Sequence, residues 1–114
     1  MSVAFNGFNE KTLTFKASGT IAKGAPVNMT SNATVVQTAA GGDFIGIAGK
    51  VRNGYVEVKL NGYTKSSYSG TAPTVGKTML GANGSGGVKV VASGGTNYLV
   101  LNVNTSDSTV EYLI

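Results

Sequence analysis

The chain has 114 residues, of which 41% are apolar and 12% charged, and its formal net charge is +4. This length suits one domain with one modest core, and such a low charged fraction is unlike that of disordered chains. Histidine and cysteine are absent, which excludes thiolate and imidazole metal sites, disulfides and serine–histidine–aspartate triads.

The first ten residues stand apart from the rest of the chain. They contain Phe5 and Phe8 on either side of a central glycine, without the alternation of a strand. We predict that residues 1–16 form either a first edge strand or an arm that packs on another chain, and that residues 17–114 form the body. No signal peptide is visible at the start and no apolar run approaches the length of a membrane span, so we expect synthesis in the cytoplasm and no membrane association.

Apolar and polar residues alternate through much of the body, which predicts β-strands rather than helices. The predicted strands span residues 12–16, 27–30, 34–38, 45–51, 55–61, 77–80, 88–92, 98–103 and 109–114. Turn residues separate them, and Asn53–Gly54 is typical of a type I′ hairpin. Residues 66–76 are predicted to be a surface loop, and no internal repeat stands out. The prediction is an all-β fold, a single compact antiparallel β-barrel or sandwich of about eight to ten short strands.

Two glycine-containing segments resemble phosphate-binding motifs without meeting their requirements. Gly70 and the Gly76-Lys77-Thr78 run are separated by five residues where a P-loop has four, and no helix pattern follows. Residues 81–87 are rich in glycine but hold no charged side chain, so a hairpin tip is the better interpretation than an anion site.

The acidic residues are scattered singly as Glu10, Asp43, Glu57, Asp107 and Glu111. A carboxylate pair or an oxygen-ligand cage would need residues from distant strands. We therefore expect no catalytic residues, no metal and no cofactor, and an enzyme that relied on lysine or tyrosine would lack acid–base partners.

The positive charges are spread almost evenly along the chain and include one arginine. Nucleic-acid binding is therefore not expected, although Tyr63, Lys65 and Tyr68 combine rings and charge as single-strand binders do. Tyrosines on a β surface more often mark a protein interface or a covered face. The candidate interface residues are Phe5, Phe8, Tyr63, Lys65 and Tyr68.

Three stretches carry a resemblance to a known family. They are ASGTIAKGAPV at 17–27, AAGGDFIGIA at 39–48 and YVEVKLNGY at 55–63, followed by a glycine-rich hairpin and terminal strands. Over residues 17–114 the sequence resembles the small capsid decoration (cement) proteins of tailed bacteriophages. Residues 1–16 are not covered.

The resemblance implies a non-enzymatic structural protein on the outside of the virion, where it binds the major capsid protein and reinforces the shell, often as a trimer. The alternative is a β-rich surface or fibre module that binds a glycan or host receptor. Missing tryptophan and scarce acids count against that alternative, because sugar sites stack rings on aromatics and hold hydroxyls with carboxylates.

Overall fold

The structure is a computed structural model that describes residues 11–114, so Phe5 and Phe8 lie outside the described residues. The described chain is all-β, with ten strands and no helix. The strands are β1 (Lys11–Ala17), β2 (Pro26–Ser31), β3 (Thr34–Gln37), β4 (Gly46–Arg52), β5 (Tyr55–Asn61), β6 (Tyr63–Ser69), β7 (Gly76–Ala82), β8 (Val88–Val90), β9 (Thr96–Asn104) and β10 (Thr109–Leu113). The predicted fold class and strand number are confirmed.

The ten strands close into two barrels of five strands, where the sequence predicted one barrel or sandwich. The first barrel has the order β1-β3-β2-β4-β5, and the second has the order β10-β6-β8-β7-β9. Each barrel has its own core. The first core consists of Ile21, Val27, Val35, Ala48, Val56 and Val58. The second consists of Phe44, Ile47, Leu80, Val88, Val100, Val110 and Tyr112.

The two barrels have the same topology, so the chain contains an internal structural repeat. In the first, β1 pairs with β3 in parallel and all other pairs are antiparallel; in the second, β6 and β8 form the single parallel pair. Ser18-Gly19-Thr20 follows β1, and Ser69-Gly70-Thr71 begins at the last residue of β6. Both glycines have positive φ, 70° and 74°, a backbone region that glycine enters without strain. The expectation of no repeat is therefore wrong.

Local turn chemistry explains the hairpin between β4 and β5. Asn53 and Gly54 have φ of 51° and 80°, as a type I′ turn requires at both central positions. The prediction of a loop over residues 66–76 is wrong for residues 66–69, which belong to β6, and for Gly76, which begins β7. The two buried inward positions of β6 are the polar residues Thr64 and Ser66, so this strand lacks the apolar alternation by which the other strands are recognised.

A segment from the first barrel crosses to the second between β3 and β4. The backbone N–H of Gly41 donates to the carbonyl of Ala82, and the N–H of Ala82 donates to the carbonyl of Gly42, at 2.8 and 2.9 Å. Phe44 follows, is 4% exposed and belongs to the second core. Its ring stacks on Tyr98 with centroids 5.3 Å apart. We call residues 38–45 the strap, because they hold the two barrels together.

The described part of the predicted 1–16 segment, residues 11–16, lies in β1. This strand pairs with β5 from Lys11 to Lys16 and closes the first barrel. Phe15 packs against the first core, whereas Leu13 remains 55% exposed. The predicted boundary between residues 16 and 17 therefore falls inside a strand.

Candidate protein-binding surfaces

Two of the predicted interface residues, Tyr63 and Lys65, share the outer face of β6. Lys65 lies opposite Glu111 on β10, and cross-strand partners project to the same side of a sheet. The Tyr63 hydroxyl donates to Oε1 of Glu111 at 2.6 Å. Nδ2 of Asn102 donates to the other carboxylate oxygen at 3.0 Å. The predicted pair thus belongs to a hydrogen-bonded network centred on Glu111.

The network changes the acidity of both groups that form its short bond. The Tyr63 hydroxyl bond, then the Asn102 bond, lower the pKa of Glu111 because both donors stabilise the carboxylate. Burial and the neighbouring Glu111 raise the pKa of Tyr63 to about 12, because both disfavour the phenolate. Tyr63 is therefore a neutral donor, and its ring is held in one orientation on the second barrel.

Tyr68 does not join this surface. It is one residue out of phase with Tyr63 and Lys65 along β6, and the two faces of a strand alternate. Its side chain is partly buried against the second core. The structure therefore brings together Tyr63 and Lys65 and separates Tyr68 from them, while Phe5 and Phe8 fall outside the described residues.

A second surface, which the sequence did not single out, lies on the outside of the first barrel. A groove of about 380 Å³ opens there beside the β4–β5 hairpin. Tyr55, 50% exposed, is its most prominent apolar side chain. The lining residues are Thr14, Lys50, Arg52, Asn53, Tyr55, Val56 and Glu57.

The side chains around this groove are positioned by the register of three strands. Tyr55 on β5 lies opposite Lys16 on β1 and opposite Arg52 on β4. A β-bulge in β4 lies between Ala48 and Val51, where three steps of β4 match two steps of β5. The extra residue places both Gly49 and Lys50 against Glu57. Lys50, which is exposed, consequently projects outward on the same side as Arg52.

Three of the four described carboxylates stabilise their own neighbourhood. Asp43 accepts from the Phe44 N–H at 2.9 Å and from the Thr96 hydroxyl at 2.7 Å, which anchors the strap. Asp107 accepts from the Asn104 amide in the β9–β10 turn, and Glu111 is the centre of the network above. Glu57 makes no ion pair or side-chain hydrogen bond within residues 11–114.

The second core contains aromatic hydroxyls that are kept protonated. Tyr112 is fully buried, and its hydroxyl lies 3.0 Å from Oγ of Ser66. Burial raises the pKa of Tyr112 far above its usual value and that of Tyr98 to about 12. Both phenols face the core and its hydrogen bonds, so neither belongs to an exposed site.

Comparisons with known proteins add no relative. No protein-family model matches the sequence, and no curated protein matches it. Over residues 11–114 no three acidic side chains cluster as a metal site would require, and no helix in that range has the length and apolarity to cross a membrane.

Proposed function

We propose that this chain is a non-enzymatic structural protein that binds the outside of a tailed-phage capsid and stabilises it. The proposal is supported by the sequence resemblance over residues 17–114. It is also supported by the carboxylates: Asp43, Asp107 and Glu111 are occupied with local hydrogen bonds. A binding role uses outward side chains on a stable scaffold, and the two outer surfaces described above provide them.

The observation that carries the proposal is the closure of both barrels. Exposed strand edges invite pairing between molecules, and closure of a sheet removes that risk. A protein that crowds at high copy number on a shell must avoid such pairing and still contact its partner. Outward side chains on closed barrels meet both requirements.

Mass spectrometry of purified virions tests the proposal directly. We expect the chain at a copy number comparable with that of the major capsid protein, and we expect heat to break undecorated shells first. Detection in host extract but never in particles would contradict the proposal. Sedimentation of the purified chain tests the predicted homo-oligomer, of which a trimer is the expected form.

The N-terminal segment offers a separate test of where the chain docks. Deletion of residues 2–9 removes Phe5 and Phe8. If they belong to an arm, the shortened chain keeps its circular dichroism and melting temperature but loses trimerisation or capsid binding. If the shortened chain loses several degrees of melting temperature and still binds, the segment belongs to the folded body.

A glycan-binding module is the second candidate, and one observation favours it. Tyr55 is half exposed in the groove beside the Glu57 carboxylate and the Asn53 amide, a combination that stacks on a sugar ring and holds its hydroxyls. A glycan array distinguishes the two functions. Selective binding of one glycan class, lost in Tyr55→Ala, would favour this candidate over capsid decoration.

A further inference from the structure

The outer face of the first barrel carries a row of three side chains across three strands. Lys16, Tyr55 and Arg52 come from β1, β5 and β4 and are cross-strand partners in register. All three are exposed, and neighbouring side chains in such a row lie about 5 Å apart at Cβ. Within residues 11–114, neither Lys16 nor Arg52 makes an ion pair or a side-chain hydrogen bond.

The second barrel shows what this position requires for folding. There the equivalent row on β6, β10 and β9 consists of Ser67, Thr109 and Asn104, with the same register. Small neutral side chains therefore satisfy the barrel at these three positions. The ring and two cations of the first barrel are additions that the fold does not need, which points to a role in binding.

Lys50 and Glu57 complete the charge pattern of the groove. The bulge in β4 brings Lys50 to the same side as Arg52, and both line the groove together with Glu57. Lys16 lies across Tyr55, at the other end of the row. The net charge of Lys16, Lys50, Arg52 and Glu57 is positive, and Glu57 is the single carboxylate among them. A positive rim with a single acceptor inside attracts a ligand that is acidic overall and also carries hydrogen-bond donors.

We propose that this basic row, Lys16, Lys50, Arg52 and Tyr55, is the docking surface for an acidic, extended segment of a protein partner. In an extended peptide, alternate side chains project to the same side about 7 Å apart. Two such carboxylates reach cations on either side of Tyr55, and a backbone N–H or hydroxyl between them donates to Glu57.

The same geometry disfavours a nucleic acid as the occupant. Single-strand binders stack successive bases on several aromatic side chains, whereas among residues 11–114 Tyr55 is the one aromatic residue that lines the groove. Glu57 would repel a phosphate passing over the floor, since both are anionic. Only the assignment of the acidic segment to the capsid shell rests on the proposed function. The inference that the ligand is acidic rests on the side chains of the row.

The first experiment uses the full chain and a synthetic probe. A ten-residue peptide of alternating Asp and Ser is titrated into the isotope-labelled protein and followed by NMR, with an Asn/Ser peptide as the neutral control. We expect amide shifts at residue 16 and at residues 50–57, and binding that weakens as salt is added. Equal binding of the neutral peptide, or tighter binding of a ten-residue oligo-dT, would overturn the proposal.

Variants test whether the row itself, rather than the overall positive charge of the chain, binds the peptide. K16S/R52N/Y55T transplants the side chains of the second barrel, and we expect it to weaken peptide binding at least about tenfold, because arginine and tyrosine dominate interfaces. The control K23S/K77S removes two positive charges from exposed positions outside the row and should bind within about twofold of the native chain. R52N alone, at the end of the hairpin, tests the row should the triple variant not fold. Unchanged binding by a folded row variant would refute the proposal.

The last experiment measures binding of the chain to undecorated capsid shells by co-sedimentation. A native chain that binds shells and a row variant that does not would support both proposals. Shell binding by the native chain and the row variant alike would overturn the docking surface and leave the proposed function standing. Peptide binding at the row without any shell binding would do the reverse: it would refute capsid decoration and support the acidic-ligand surface.

Discussion

Phe44 is the residue whose removal should most clearly reveal how the two barrels depend on each other. It is contributed by the strap, is 4% exposed, and stacks on Tyr98 inside the second core. Truncation of a buried phenylalanine to alanine costs about 3–5 kcal/mol. The ring stacking places Phe44→Ala in the upper half of that range, at about 4 kcal/mol. In a chain of this size each kcal/mol lowers the melting temperature by about 4 °C, so we expect a loss of about 15 °C.

Two optical probes show where the loss occurs. Four of the five tyrosines (Tyr63, Tyr68, Tyr98 and Tyr112) lie in the second barrel, so near-ultraviolet circular dichroism reports mainly on that half. Far-ultraviolet circular dichroism reports on the strands of both. In Phe44→Ala we expect the near-ultraviolet signal to melt first, because the second core and its link to the first barrel are weakened together.

Phe15→Ala is the matched control, since Phe15 packs on the first core. It should lower the melting temperature, but the near-ultraviolet signal of the tyrosines should not melt before the far-ultraviolet signal of the strands. If Phe44→Ala shifts the melting temperature by less than about 5 °C and both probes still coincide, the strap does not couple the barrels and the reasoning is refuted.

Three further predictions concern single side chains. Thr64 is buried, and its hydroxyl has no hydrogen-bond partner among the described residues, so Thr64→Val should raise the unfolding free energy in urea by about 1 kcal/mol; a decrease would reveal a partner for the hydroxyl. Ser66→Ala leaves the buried Tyr112 hydroxyl without its partner and should cost about 1–3 kcal/mol, whereas Ser69→Ala at an exposed position should cost little. The lowered pKa of Glu111 means that its contribution is present above its usual pKa of 4.5 and is lost as the pH falls through the lower folded-state value. Stability should therefore stay level between about pH 5.5 and 8, where no histidine titrates, and fall below about pH 4.5, less steeply in Glu111→Gln; a transition near pH 6.5 would contradict this.

The fold class followed from local patterns, and the barrel arrangement did not. The alternation through β5 and the Asn53–Gly54 turn are read within a few residues, so they predicted the β4–β5 hairpin directly. Strand β6 was missed because Thr64 and Ser66 face the interior. The division into two barrels depends on which distant strands pair, for which the repeated Ser-Gly-Thr at the ends of β1 and β6 was the visible signal.

The two candidate binding surfaces were likewise predictable only where they depend on residues that are close in sequence. The sequence grouped Tyr63, Lys65 and Tyr68 in one interface, and the structure separates Tyr68 because it lies on the opposite face of β6, the strand that was not predicted. A two-residue turn also implies that Arg52 lies opposite Tyr55, so half of the basic row was present in the sequence. The neighbourhood of Lys16 required the pairing of β1 with β5, and the burial of Phe44 required knowledge of the strap, both of which are long-range contacts.

The strap also implies an order in which the two barrels fold. Among the described residues, every buried member of the first core lies between Ile21 and Val58, whereas the second core takes Phe44 and Ile47 from the first half. During synthesis the N-terminal half leaves the ribosome first, and it is the half whose core is complete without the other. The second barrel then closes around an aromatic ring that is already tethered to a folded neighbour. The first barrel can therefore fold before the second half has been synthesised. A second half produced separately would lack part of its own core.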